Sequence, residues 1–277
     1  MPDALPPRAA LAARYPAQDT PPAAFADNPI IAHLLNHRSV RAFTGEPLPE
    51  GLIETLVAAA QSAPTSSNLQ TWSLVTVQDR ERLSRLAAAS NRQGFLNTAP
   101  LFLVWVADLS RNQRLGEAAG QTLEGIDYLE SYMVAMIDAA LAAQNLVVAA
   151  EALGLGTCYI GALRSKPEVI SEELGLPPNA MGLFGMCVGY PDVEKLSDIK
   201  PRLPQSAIVH SETYKVTPEE AAAAARYDDA MLDFSTRVGQ GEVRWLPRMF
   251  QRLAGAGSLS GRHRMIEALK NLGFGLK

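Results

Sequence analysis

The sequence predicts a mixed helix–sheet fold, α/β or α+β, with helices on both faces of the sheet. Three observations carry this. Short β-branched or apolar runs alternate with helical patterns along the chain. One run, Pro100–Ala107 (PLFLVWVA), is apolar throughout, as expected of a strand covered on both faces. A long Ala-, Leu- and Met-rich helical stretch from about Gly125 to Leu153 is apolar around most of its circumference.

In chain order, residues 1 to about 28 are rich in Pro and Ala and are expected to form an irregular arm. Asn28-Pro29 opens a short helix over Ile30–Leu35, and a second helix over Pro49–Ala63 places Leu52, Ile53, Leu56, Val57 and Ala60 on one face. Trp72–Gln78 reads as a strand, Arg80–Ser90 as a charged helix, and Pro100–Ala107 as the buried strand. The long helix stops at Gly154-Leu155-Gly156, a fitting C-terminus. A strand at Thr157–Ile160, a helix at Lys166–Leu174 and a strand at Met181–Val188 follow, then a possible edge strand at Ala207–His210. From about Pro218 the tail reads as three helices, broken near Gly239-Gln240-Gly241 and Gly255-Ala256-Gly257, and there is no internal repeat.

Bulk properties exclude several classes. The 277 residues, 47% hydrophobic and 19% charged, suffice for a large core. A net charge of -4 argues against binding nucleic acid or anionic membranes. Met133–Ala150 is apolar enough to raise a membrane span, but Asp138, Gln144 and Asn145 in its middle would be costly in lipid, so a protein core or a dimer interface is favoured. Cys158 and Cys187 lie in apolar strands and read as buried thiols. The N-terminus has no uninterrupted apolar stretch of the kind a signal peptide needs, and a cytoplasmic location is expected.

No Gly-x-Ser-x-Gly, His-Glu-x-x-His or Walker pattern is present, and His33, His37, His210 and His263 have no metal spacing. Gly154-Leu155-Gly156 follows a helix, so it is no dinucleotide fingerprint. What remains is a set of separated cationic and polar motifs: His37-Arg38-Ser39-Val40-Arg41, Pro64-Thr65-Ser66-Ser67-Asn68-Leu69-Gln70 and Lys200-Pro201-Arg202-Leu203-Pro204. Clustered cations hold phosphate by charge-assisted bonds, and hydroxyl and amide groups satisfy a polyol or heterocycle edge. Jointly they suggest a phosphorylated heterocyclic cofactor.

These motifs, with Ala-Gln-Asn-Leu-x-x-Ala-Ala-Glu-x-Leu-Gly-Leu-Gly, Tyr-Ile-Gly and Leu-Phe-Gly-x-Cys-x-Gly-x-Pro in the same order, resemble the nitroreductase superfamily from Ile30 onward. The branch of NADPH-linked, oxygen-insensitive nitroreductases and flavin reductases is the most similar. The resemblance implies an α+β fold with a central, mostly antiparallel sheet covered by helices and a long buried core or interface helix. It implies one FMN-binding domain over 30–277 with a helical C-terminal excursion at about 217–277, in a homodimer with an interface of roughly 2,000 Å² or more. The implied cofactor-binding residues are His37, Arg38, Ser39 and Arg41, with Lys200 and Arg202 near the FMN phosphate. Ser66, Ser67 and Gln70 match the loop against the partner subunit's flavin, and Gln93 a polar residue near the pyrimidine end. Tyr159, Ile160 and Gly161 match the segment facing flavin N5. Where the branch often has Gly-Gly, this chain has Gly161-Ala162, an added methyl group. Arg237 and Arg262 match arginines associated with NADPH. The implied reaction is ping-pong hydride transfer from NADPH (or NADH) through flavin N5 to a nitroaromatic, quinone or related small molecule, with Arg41 as an electrostatic stabiliser and no protein nucleophile. The alternatives are a dedicated NADPH-flavin reductase and a flavin-binding protein without turnover.

Overall fold

The computed structural model describes residues 4–17, 25–26, 28–91 and 94–277. In chain order the elements are α1 (Pro7–Arg14), α2 (Pro29–Leu35), α3 (Leu52–Gln61), β1 (Trp72–Val77), α4 (Arg80–Ala89), β2 (Leu101–Asp108), α5 (Ser110–Ala118), α6 (Leu129–Ala152), β3 (Gly156–Ile160), α7 (Pro167–Leu174), β4 (Ala180–Gly189), α8 (Pro218–Arg237), α9 (Trp245–Leu253) and α10 (Met265–Asn271). They fall into two compact units, Met1–Arg38 with Leu196–Leu259, and Ser39–Lys195 with Ser260–Lys277.

The larger unit is built on a sheet of order β1-β2-β4-β3, antiparallel at every pairing. This is the α+β alternative of the two that the sequence left open. Every residue of β2 is buried. Leu101, Leu103 and Trp105 face α6 and α3, where they join Leu56, Leu146 and Met186 in one core. Phe102 and Val104 point to the opposite side, toward Leu163 and Ile170 of the segment around α7. The apolar run of β2 therefore has the physical cause expected of it, cover on both faces.

Local chemistry sets the element ends. Asn28 caps α2 by accepting the Ile30 N–H, with Pro29 at the first helical position. Asp79 does the same for α4 through the Arg82 N–H. At the end of α6, Gly154 takes a left-handed φ of 81° and Leu155 donates back to the Ala150 carbonyl at 2.9 Å. The α6 helix is long and apolar enough to cross a membrane by length and composition. Its inward face, including Ala135, Ala139, Ala142, Ala143, Leu146 and Val147, is part of the protein core, and Asp138 and Glu151 are buried with it.

The smaller unit packs α8 and α9 around Tyr227, Met231 and Phe234, with Leu203 and Trp245 against them. Arg244 pairs with Asp228 and Asp229 at 2.8 Å each, and Asp228 also accepts the Leu246 N–H, so the start of α9 is tied to α8.

The structure corrects two sequence-based expectations and adds one helix. Residues 7–14 of the supposedly irregular arm form α1, with Pro7 at a position where a missing N–H costs nothing and Ala10, Leu11 and Arg14 on the buried side. The expected edge strand at Ala207–His210 is a helical turn over Gln205–Ala207, with Val209 donating to the Gln205 carbonyl and Ile208 and Val209 exposed. Among the described residues this short apolar run pairs with no strand, and an unpaired strand is not stable alone. The helix α5 lacks a sequence signal because it buries only Ser110 and Gly116. Asp108 starts it by accepting from the Ser110 hydroxyl and the Arg111 N–H.

Gly185 of β4 has no room for a side chain, since a Cβ there would run into the Phe102 ring and come within 2.8 Å of Leu163. Gly185→Ala is expected to destabilise the protein by about 1–3 kcal/mol through overpacking, read as a lower midpoint in urea unfolding.

Candidate functional site

In the smaller unit, the chain segments bearing His37 and Arg38 and those bearing Lys200 and Arg202 are tied by one buried side chain. Arg14 of α1 is 6% exposed. Its guanidinium donates to the Leu35 and His37 carbonyls at 2.8 and 2.9 Å and to the Lys200 carbonyl at 2.9 Å. The Arg14 carbonyl in turn accepts the Arg202 N–H at 2.8 Å. His37 and Arg38 are half-buried, while the Lys200 and Arg202 residues are exposed. The Lys200 ammonium lies 5.9 Å from the centroid of the Phe234 ring, and the Arg237 guanidinium lies the same distance from it. Tyr227 donates to the Pro201 carbonyl at 3.2 Å, and burial raises its phenol pKa against the opposing charge of Arg202.

In the larger unit, Ser39 and Arg41 flank Val40, whose N–H donates to the Thr157 carbonyl at 2.8 Å, and Ser39 pairs in parallel with Thr157. Gly156 allows this close approach, because a Cβ there would sit 2.5 Å from Val40. Arg41 is exposed beside β3, and its charge partly offsets the rise that burial imposes on the Cys158 thiol. Cys187, paired opposite Cys158, is also raised by burial, so both thiols are held in the neutral form. At the end of β3, Tyr159 remains 39% exposed, Ile160 is buried and Gly161 is half-buried. The Tyr159 ring packs edge-on to Phe184 at 5.4 Å and its hydroxyl donates to Gln144 at 3.4 Å. Burial raises its pKa, and the nearby Glu151 raises it further. Arg164 packs against Gly161 and donates to the Leu183 carbonyl; burial lowers its pKa.

The third motif forms an exposed loop in the same unit. Ser67, Asn68 and Gln70 all take left-handed φ values, 48°, 52° and 52°. Such backbone is unfavourable for residues with a Cβ, Asn excepted in part, and persists where the surroundings hold it. Asp138, 2% exposed in the middle of α6, accepts the Ser66 N–H at 3.1 Å. The Thr65 hydroxyl accepts the Gln70 N–H at 3.0 Å. Arg111 of α5 donates to the Gln70 and Trp72 carbonyls, and Asn112 to the Leu69 carbonyl. Asp108 accepts from Ser73 and Ser110. Burial acts to raise its pKa, but those hydroxyls and Arg111 hold it below the usual carboxylate value. The loop borders a cavity of about 670 Å³ whose walls include Thr65, Asn68, Gln70, Trp72 and Arg111.

The remaining candidates are placed less centrally. Gln93 lies outside the described residues. Arg237 is exposed and donates to Asp198 at 3.0 Å. Arg262 is half-buried in a helical turn before α10. Among the described residues no cluster of His, Cys, Asp or Glu could hold a metal ion. Sequence reasoning did not single out Arg14 or Arg111, and weighed Asp138 only against a membrane span. Their role is to satisfy backbone groups of distant loops, and a single sequence carries no signal of that. A charged residue on the apolar face of a helix, as at Arg14 and Asp138, is the nearest thing to one.

Comparison with known proteins decides the family. The Nitroreductase family profile matches residues 34–190, and the family's C-terminal domain matches residues 200–277. The chain belongs to the nitroreductase family. It is 41% identical over 209 residues to "FMN reductase (NADPH)" of Bacillus subtilis, covering 75% of this chain and 83% of the relative. It is 36% identical to the "Oxygen-insensitive NADPH nitroreductase" of Salmonella typhimurium, covering 75% and 82%. Among solved structures, B. megaterium NfrA1 aligns with a TM-score of 0.84 at 36% identity, over 90% of this chain and 100% of that one. The Vibrio harveyi NADPH:FMN oxidoreductase complexed with NAD+ aligns with a TM-score of 0.80 at 32% identity, over 90% and 100%. The implied α+β fold and the long core helix are those of this nitroreductase.

Asp138→Ala removes the acceptor that holds the start of the loop. Amide hydrogen exchange at residues 66–70 is expected to speed up by about tenfold or more, the scale of a lost hydrogen bond to a carboxyl group. The buried turns of α6 stay protected. Unchanged exchange in the loop would show that Asp138 does not hold it.

Proposed function

We propose that this nitroreductase is an FMN-dependent NAD(P)H oxidoreductase acting on small-molecule acceptors such as nitroaromatics, quinones or free flavin. The observation that supports it most is the Arg14-centred arrangement, which joins the segments of Arg38, Lys200 and Arg202 in one compact unit. Cations carried on fixed backbone are what a terminal phosphate requires. The relatives named as NADPH-dependent FMN reductase and NADPH nitroreductase support the same reading.

In this proposal Lys200, Arg202 and Arg38 would hold the FMN phosphate, and His37 and Ser39 would also bind FMN. Arg41 would supply a positive charge to the bound ring and so stabilise the charge that develops on reduction. Tyr159, Ile160 and Gly161 would bind the ring through their backbone, and the methyl group of Ala162 would narrow the site. Ser66, Ser67 and Gln70, in their braced loop, contact the flavin of a partner subunit, and Gln93 the pyrimidine end. FMN supplies hydride acceptance from NAD(P)H and hydride donation to the acceptor, in alternation. The protein binds and orients, and the two buried thiols and the raised Tyr159 phenol are kept neutral and out of the chemistry. Arg237 and Arg262 serve the phosphate that distinguishes NADPH from NADH; Arg237 would exchange Asp198 for that phosphate.

The proposal extends to assembly and organisation. Residues 30–277 act as a single FMN-binding domain with a helical excursion at about 217–277, in a cytoplasmic homodimer. The α6 helix supports the dimer, because Met133, Met136, Ile137 and Leu141 are exposed along it while its opposite face is buried.

Purified protein is expected to bind FMN and oxidise NADPH in the presence of a quinone or nitroaromatic. Arg202→Ala should weaken FMN binding by roughly 1.5–3 kcal/mol, the range for hydrogen bonds to charged groups, measured by quenching of flavin fluorescence. A protein that binds no FMN would sink the reading. Ile137→Glu should weaken the dimer by roughly 2 kcal/mol or more, seen by light scattering as a shift to monomer on dilution.

A further inference from the structure

The helix α1 lies before both stretches matched by the family, which begin at residues 34 and 200. It is nevertheless bonded at both ends to later segments of the smaller unit, to which it belongs. At its start, the Leu5 N–H donates to Asn36 Oδ1 at 2.8 Å and Asn36 Nδ2 donates to the Leu5 carbonyl at 2.9 Å. At its end, Arg14 makes the three carbonyl bonds described above and accepts the Arg202 N–H. Its bonding partners lie 21, 23 and 186 residues away in sequence, so none is a product of local chain geometry.

We propose that Arg14 is a positioning residue for FMN phosphate recognition, setting the spacing between residues 35–38 and residues 200–202, and that α1 is thereby a working part of the cofactor site. The inference rests on the FMN reading above. A buried guanidinium is costly unless its donors are used. Here they are used on carbonyls of two segments that each carry a proposed phosphate ligand. Fixing the Leu35 and His37 carbonyls sets the end of α2 and the direction in which the chain leaves at Arg38. Fixing the Lys200 carbonyl and the Arg202 N–H sets the backbone from which Lys200 and Arg202 project. Arginine is suited to this because its planar fork offers several donors in fixed directions, which a lysine ammonium cannot reproduce.

A structural staple and a phosphate-positioning residue differ in what they do to two ligands that share a ring system. Riboflavin has the isoalloxazine and ribityl chain of FMN but no phosphate. Full-length wild type, Arg14→Ala and Arg14→Lys, freed of flavin, are titrated with FMN and with riboflavin, and their folding is checked by circular dichroism. Arg14→Ala should lose about tenfold or more in FMN affinity, with riboflavin affinity unchanged within about twofold. Arg14→Lys should show the same selective loss, and it supplies the readout if the alanine variant does not fold. Asn36→Ala, which unties α1 at Leu5 and leaves Arg14 in place, should give a smaller loss in the same direction. Equal loss for both flavins, or no loss for FMN, overturns the positioning role. A wild type that binds neither flavin fails the FMN reading itself, a distinct outcome.

Discussion

Strands β2 and β4 are buried on both faces, and the larger unit is arranged around that requirement. Neither strand can be exposed on either side without stranding a row of large apolar groups in water. One side is met by α6 and α3, which close over Leu103, Trp105 and Met186. The other is met by the segment around α7. Small residues of β4 make this cover possible, since Gly182 and Gly185 let Ile170, Leu163 and Phe102 come into contact with the sheet. Once α6 is fixed on the sheet, Asp138 is carried into the interior at a defined height, and so is the loop it bonds.

A second constraint recurs in both units. Irregular segments leave backbone N–H and C=O groups that have no partner in a helix or sheet, and these groups must be satisfied. In this protein long polar side chains from helices reach across to do it. Arg14 serves the carbonyls after α2 and before α8, Arg111 serves those of residues 70 and 72, and Asp138 serves the N–H of Ser66. The segments served carry several of the candidate cofactor residues. Their exposed and half-buried side chains are carried on backbone that is held by hydrogen bonds, the arrangement a preorganised binding site needs.

Much of the architecture was legible from residue pattern. Buried strands reveal themselves by unbroken apolar runs and α6 by its composition, because burial on several sides demands apolar residues at most positions. The helix ends at Asn28, Asp79 and Gly154 follow from capping chemistry that is local in sequence. Elements held by polar bonds were not legible in the same way. The helix α5 has no apolar stripe, and the apolar run at residues 207–209 joins no strand among the described residues.

The sequence alone determined the alternation of helix and strand, the apolar core and the identity of the cationic and polar motifs, since these depend on composition and on spacing within a few residues. Tertiary structure decided the antiparallel order of the strands, the left-handed backbone of the loop at Ser67 and Gln70, and the joining of residues 35–38 to residues 200–202 through Arg14. Each of these is fixed by hydrogen bonds between groups far apart in the chain. Nothing in the local sequence can specify such a partner, because the bond exists only once the core has brought the two segments together.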